Sequence, residues 1–78
     1  MPTIVRFQRC RIEMYFGDHH PPHFHIITIS DERVAVSIET LAIIAGVADK
    51  RDIGAAIEWA RANQDELASR WAMYTEGE

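Results

Sequence analysis

The stretch DHHPPHFH, residues 18 to 25, holds all four histidines of the chain beside two adjacent prolines. Imidazole binds metals and moves protons near neutral pH, so a cluster of this density points first to chemistry. Pro21 and Pro22 each fix φ near about −65°, remove a backbone donor and push the preceding residue toward extended conformations, which stiffens the turn. His23 and His25 are two apart on an expected strand and leave the same face, while His20 or His19 returns from the far side of the prolines.

Three readings of the cluster follow. In the first, His20, His23 and His25 form a three-imidazole metal site with an open position for water, and Asp18 accepts from one ring and fixes its tautomer. Zinc is the first candidate, with nickel, iron or manganese behind it. The spacing H-x-x-H-x-H is suggestive but not diagnostic in the way a helical H-E-x-x-H is. In the second, no metal is needed: a histidine acts as acid or base, and Arg6 and Arg11 stabilise a developing phosphate charge beside Tyr15, an arrangement able to cleave RNA. In the third, the histidines fill and hydrogen-bond a rigid hairpin corner.

The elements that must position these residues are read from periodicity. TIVRF and RIEMYFG are rich in β-branched and aromatic residues and are expected to form a hairpin turning near Gln8 and Arg9. HFHIITIS is a third strand, DE a turn and RVAVSIE a fourth strand in which Val34, Val36 and Ile38 alternate with Arg33, Ala35, Ser37 and Glu39. LAIIAG fits a short fifth strand or one helical turn, and Ile43 and Ile44 favour the strand. From Asp49 the period becomes helical through Ile53, Ile57, Ala60, Leu67, Trp71 and Tyr74. Asp49 is placed to cap the helix, with Asp52 three residues on as a weak capping box. Asn63 and Glu66 repeat that signal, which predicts a break and a second helix near 64 to 75.

Both periods are satisfied by a single α+β domain over 1–78: strands over about 3–46 form a four- to five-stranded antiparallel meander, covered on one face by one or two helices over about 50–75. The expected core is Ile12, Met14, Phe16, Val34, Val36 and Ile38 against Ile53, Ile57, Leu67 and Trp71. Trp59 and Tyr74 are read as packing rather than base-stacking residues. Alternation leaves Arg11, Glu13, Tyr15, Arg33, Ser37 and Glu39 on the opposite face, joined by Arg6 if the first strand buries Val5 and Phe7.

Composition narrows the functions open to this face. The chain has 78 residues, 47% hydrophobic and 26% charged, which places it among globular rather than disordered sequences. Its formal charge of −4 disfavours broad electrostatic binding of RNA and restricts any such contact to a local patch. Cys10 is the only cysteine, which excludes an internal disulfide and suits a reducing compartment. No apolar run approaches the ~18 residues of a membrane span, and the arginines near the N-terminus do not suit a signal peptide, so the expected location is the cytoplasm.

The segments MPTIVRF, RIEMYFGDHHPPHFH, SIETLAIIAG and AIEWARANQDELASRW together resemble the small prokaryotic family known as domain of unknown function 4160, over nearly the whole chain. The most specific part is D-H-x-P-P-H-F-H, here Asp18, His19, Pro21, Pro22, His23, Phe24 and His25, supported by Trp59, Glu66, Leu67 and Trp71. His20 falls at the variable position, so the resemblance shifts the candidate metal trio to His19, His23 and His25. Gln8 and Arg9 stand where such proteins often carry a small flexible residue, which leaves the register of the first hairpin open.

The resemblance also implies a genetic setting, because such proteins are often encoded beside a second small protein with a helix-turn-helix appendage. That setting looks like a toxin and antitoxin pair. The expectation is a toxin-like component of a two-protein module, RNA-directed if it is catalytic, using His23, His25, Arg11, Tyr15 and Arg6. Its partner would be the antitoxin-like protein, and homo-oligomerisation is open. The alternative is a non-catalytic metal-binding or protein-interaction module on the same face.

Overall fold

The structure is a computed structural model that describes residues 3–15 and 21–76. Expectations for Phe16, Asp18, His19 and His20 lie outside the described residues. The chain runs β1 (Thr3–Arg6), β2 (Cys10–Glu13), β3 (His23–Thr28), β4 (Arg33–Ser37), β5 (Ile43–Gly46), α1 (Lys50–Ala62) and α2 (Gln64–Glu76). The strands form one five-stranded sheet in sequence order, with each neighbouring pair antiparallel. The fold is α+β, and LAIIAG supplies a strand at Ile43–Gly46.

The inner face of the sheet and the apolar stripe of the helices make one core. Ile12, Phe24, Ile26, Val34 and Val36 are buried against Ile53, Ala56, Ala60, Leu67 and Trp71. Met14 and Ile38 belong to the same cluster. Phe24 and Ile26, on the face of β3 opposite the histidines, join the core beyond the residues expected there. Ile57, expected in the core with Ile53, Leu67 and Trp71, is only partly buried. Cys10 packs into the core, and burial raises its thiol above the ordinary range.

The first hairpin closes through Phe7 N–H donating to the Cys10 carbonyl at 2.7 Å, with Gln8 and Arg9 at its tip and Arg6 opposite Arg11. Its register slips between Thr3 and Val5. Arg9 has a long-range role there: its Nε donates to Asp52 Oδ1 at 2.7 Å, tying the hairpin to the first turn of α1.

That contact changes the expected cap. Asp49 accepts from the Arg51 N–H at 2.9 Å, as an N-cap should. Asp52 is committed to Arg9, so the return half of the box is made elsewhere: the Asp49 N–H donates to Glu32 Oε1 at 3.4 Å. The helical break falls at Asn63, whose Nδ2 donates to the Trp59 carbonyl at 2.7 Å. Gln64 then pins the start of α2 to the β4–β5 turn by donating to the Ile38 carbonyl at 2.8 Å. In that turn Leu41 adopts φ 64°, a conformation costing a side-chain-bearing residue roughly 1–2 kcal/mol. Its N–H bond to the Ser37 carbonyl at 2.8 Å and its packing against the core hold it there.

Candidate functional site

The outer face is organised in rows set by strand register. One row runs Arg6, Arg11, Ile27 and Arg33 across β1 to β4. The next runs Glu13, His25, Ala35 and Ala45 across β2 to β5. Val5 and Phe7 are partly buried against the core and Arg6 is exposed, so β1 meets the condition for Arg6 to join this face. Ile27 is nevertheless only 1% exposed. Its register position between Arg11 and Arg33 lets the aliphatic stems of two arginines cover it.

Glu13 is the hub of the face. It is 7% exposed, and its carboxylate accepts from Tyr15 Oη at 2.5 Å and from Arg11 Nε at 2.6 Å. Burial is the largest single influence and pushes the Glu13 carboxyl up, but the hydrogen bonds from Tyr15 and Arg11 and the charges of Arg11 and Arg33 together bring it below the ordinary carboxylate range. The Tyr15 hydroxyl moves the other way, raised first by burial and then by its bond to Glu13. At neutral pH Tyr15 therefore stays protonated and its proton is directed at Glu13. Arg33 Nη1 reaches the Tyr15 oxygen at 3.5 Å, a long contact that leaves most of this exposed guanidinium to solvent.

The two histidines of β3 have different surroundings. His25 is half-buried, with its ring centroid 4.8 Å from that of Tyr15 and 5.0 Å from that of His23. His23 is 7% exposed, lies 5.2 Å from the Trp71 ring and has Nδ1 2.7 Å from the Pro21 carbonyl oxygen. A carbonyl only accepts, so Nδ1 of His23 carries the proton. Alternation along the strand puts both rings on the exposed face. The structure instead embeds His23 between the proline turn and α2.

Beside His25 the face is hollow. A depression of about 290 Å³ is lined by Tyr15, His25 and Arg33 on one side and by Ala35, Ala45 and Gly46 on the other. The small residues matter because any larger side chain at these positions would fill the space. Gly46 is also fixed by its backbone: φ is +86°, and a Cβ there would collide with the Arg33 carbonyl oxygen. Arg6 and Arg11 line a separate, smaller hollow over Ile27.

The structure thus brings Arg11, Tyr15 and His25 together with Glu13 and Arg33, sets His23 behind them and leaves Arg6 at the end of the row. Alternation already put Glu13 and Arg33 on this face; the depth of Glu13 and the alanine and glycine floor needed the cross-strand register. Among the described residues, no group of three or more His, Cys, Asp or Glu side chains could hold a metal ion. Any site of the expected kind would need His19 or His20 in addition to His23 and His25.

No helix among the described residues is long and apolar enough to cross a membrane. No curated protein and no solved structure matches the chain. The chain belongs to the family described as Domain of unknown function (DUF4160), whose model matches residues 10–72, a span that includes Glu13, Tyr15, His23, His25 and Arg33 and leaves Arg6 outside.

Proposed function

We propose that this chain is the toxin-like component of a two-protein prokaryotic module, and that the hollow beside His25 is its RNA-directed working surface. The observation that carries the reading is the convergence of an imidazole, a phenol ring and an exposed guanidinium on one small depression. Tyr15 offers a ring face for a base, Arg33 a charge for a phosphate, and His25 a group able to take or give a proton. Arg11 is less suited to phosphate than the sequence suggested, because its Nε is committed to Glu13. Arg33 takes that role, with Arg6 as an outlying cation. The formal charge of −4 keeps the contact local and salt-sensitive.

The test is induced expression in a bacterial host, with and without the neighbouring gene, followed by growth curves and analysis of cellular RNA. Growth arrest with RNA cleavage, lost in His25→Ala and Arg33→Ala and relieved by the neighbour, is the expected result. No arrest, or arrest undiminished in both variants, sinks the proposal.

A second reading is favoured by one specific observation: Arg11, Glu13 and Tyr15 largely satisfy one another, as expected of a rigid docking surface rather than a proton-transfer site. In this reading the chain is a non-catalytic interaction or metal-binding module. The metal version predicts near-stoichiometric zinc or another transition metal in protein purified without chelator. Elemental analysis well below one metal per chain, with no thermal shift on adding zinc or nickel, removes it.

A further inference from the structure

Away from the outer face, the molecule has an apolar side that the proposed function does not use. Between β5 and α1 lies a groove of about 400 Å³ walled by Leu41, Ile43, Ile53 and Ile57, with Lys50, Gly54 and Glu58 along its helical rim. In the chain segment that follows Ile43, Ile44 is 46% and Val47 83% exposed. An apolar surface of this kind on so small a domain is expected to meet a partner.

The charges on the rim have a spacing that bears on what would cover it. Lys50 opens α1 and Glu58 follows two turns later, on the same side of the helix, with Gly54 midway between them in sequence. Neither Lys50 nor Glu58 has an ion-pair partner among the described residues. If a second copy of α1 lies antiparallel across the first with the crossing at Gly54, Lys50 of each copy meets Glu58 of the other. The pattern is self-complementary about a two-fold axis, as an interface between identical chains requires. Gly54 suits the crossing point, since a Cβ built there meets nothing within 4 Å and the bare backbone admits close approach.

Edge-to-edge pairing of β5 is a poorer use of this side. The strand is short, its register slips between Ala35 and Val36 of its neighbour, and it ends at Gly46 with positive φ. Such irregularity blunts an edge against regular pairing. We infer that two copies of this chain associate through the α1 face centred on Gly54, with reciprocal Lys50–Glu58 ion pairs at its ends and the β5 apolar groove buried between them.

The experiment is sedimentation equilibrium on the full chain. Wild type is expected to dimerise. Lys50→Glu and Glu58→Lys should each weaken the dimer by roughly tenfold or more, because each turns reciprocal attraction into repulsion. Mixing the two single variants should restore dimer as a heterodimer, and the Lys50→Glu/Glu58→Lys double variant should restore the homodimer. Gly54→Arg should abolish association without lowering the melting temperature, since its side chain projects into open space and arginine favours helix over glycine. A wild-type chain that stays monomeric at about 1 mM overturns the inference, because even a weak dimer is populated there. A dimer indifferent to both Gly54→Arg and the charge exchange also overturns it, by placing the interface elsewhere.

Discussion

On the inner face of β3, Phe24 and Ile26 are fully buried among Ile12, Val34 and Val36. One residue away along the same strand, His25 and Ile27 face a surface of arginines, a glutamate and a tyrosine. The inner face is held by burial, which is non-directional and tolerates apolar exchange of similar volume. The outer face is held by directed bonds: Glu13 fixes Tyr15 and Arg11, and Tyr15 in turn lies against His25. The difference teaches that the two faces contribute unequally to stability, because deleting an outer cation at most uncovers part of Ile27 while deleting an inner ring opens a cavity.

The comparison breaks most visibly at Phe24. Phe24→Ala should cost about 3–5 kcal/mol in urea unfolding, enough to unfold much of a domain this small. A loss under about 1 kcal/mol would show that the inner face is not the main source of stability. Next is the hub of the outer face. Glu13→Gln should cost about 1–3 kcal/mol, because Arg11 and Tyr15 lose a charged acceptor in a shielded position. A double-mutant cycle with Tyr15→Phe should show coupling of at least about 0.5 kcal/mol. Additive losses would mean that the two side chains are neighbours without being partners.

Acid sharpens the same point. The Glu13 carboxyl lies below its ordinary value in the folded chain, so between that value, about 4.3, and the lower folded one the unfolded chain holds a proton that the folded chain does not. The Glu13 contribution is therefore complete above about pH 4.3 and is lost as pH falls through the folded value. Unfolding free energy measured against pH should fall less steeply in this acid range for Glu13→Gln than for wild type, and equal slopes would refute the assignment. The smallest expected change in stability is in Arg33→Ala, about 1 kcal/mol or less from partly uncovering Ile27, together with loss of the proposed growth arrest. A large stability loss there would make Arg33 part of the scaffold instead of the working surface.

Much of this arrangement is legible without coordinates. The period of two in RVAVSIE and the change to helical spacing after Asp49 each report a local rule that the structure follows. The helix breaks at Asn63 as expected, although the Asn63 side chain closes α1 on the Trp59 carbonyl instead of repeating the Asp49 cap. The same alternation puts Arg11, Glu13 and Tyr15 on one face. Depth was not legible. Ile57 and Leu67 have equivalent places in the pattern, yet Leu67 is fully buried and Ile57 borders the groove beside β5. His23 and His25 differ for a similar reason, since the His23 ring lies beside Trp71 of α2 and the His25 ring beside Tyr15.

What the sequence determined by itself is therefore the set of elements, their order and the face on which each side chain lies, because these follow from backbone periods acting over a few residues. What only the tertiary structure decided is which partner each polar group finds. Arg9 meets Asp52 across 43 positions, Glu32 completes the Asp49 cap and Glu13 sinks to become a hub. Those outcomes depend on strand register and on helices packing across the sheet, which bring together residues that no local period relates.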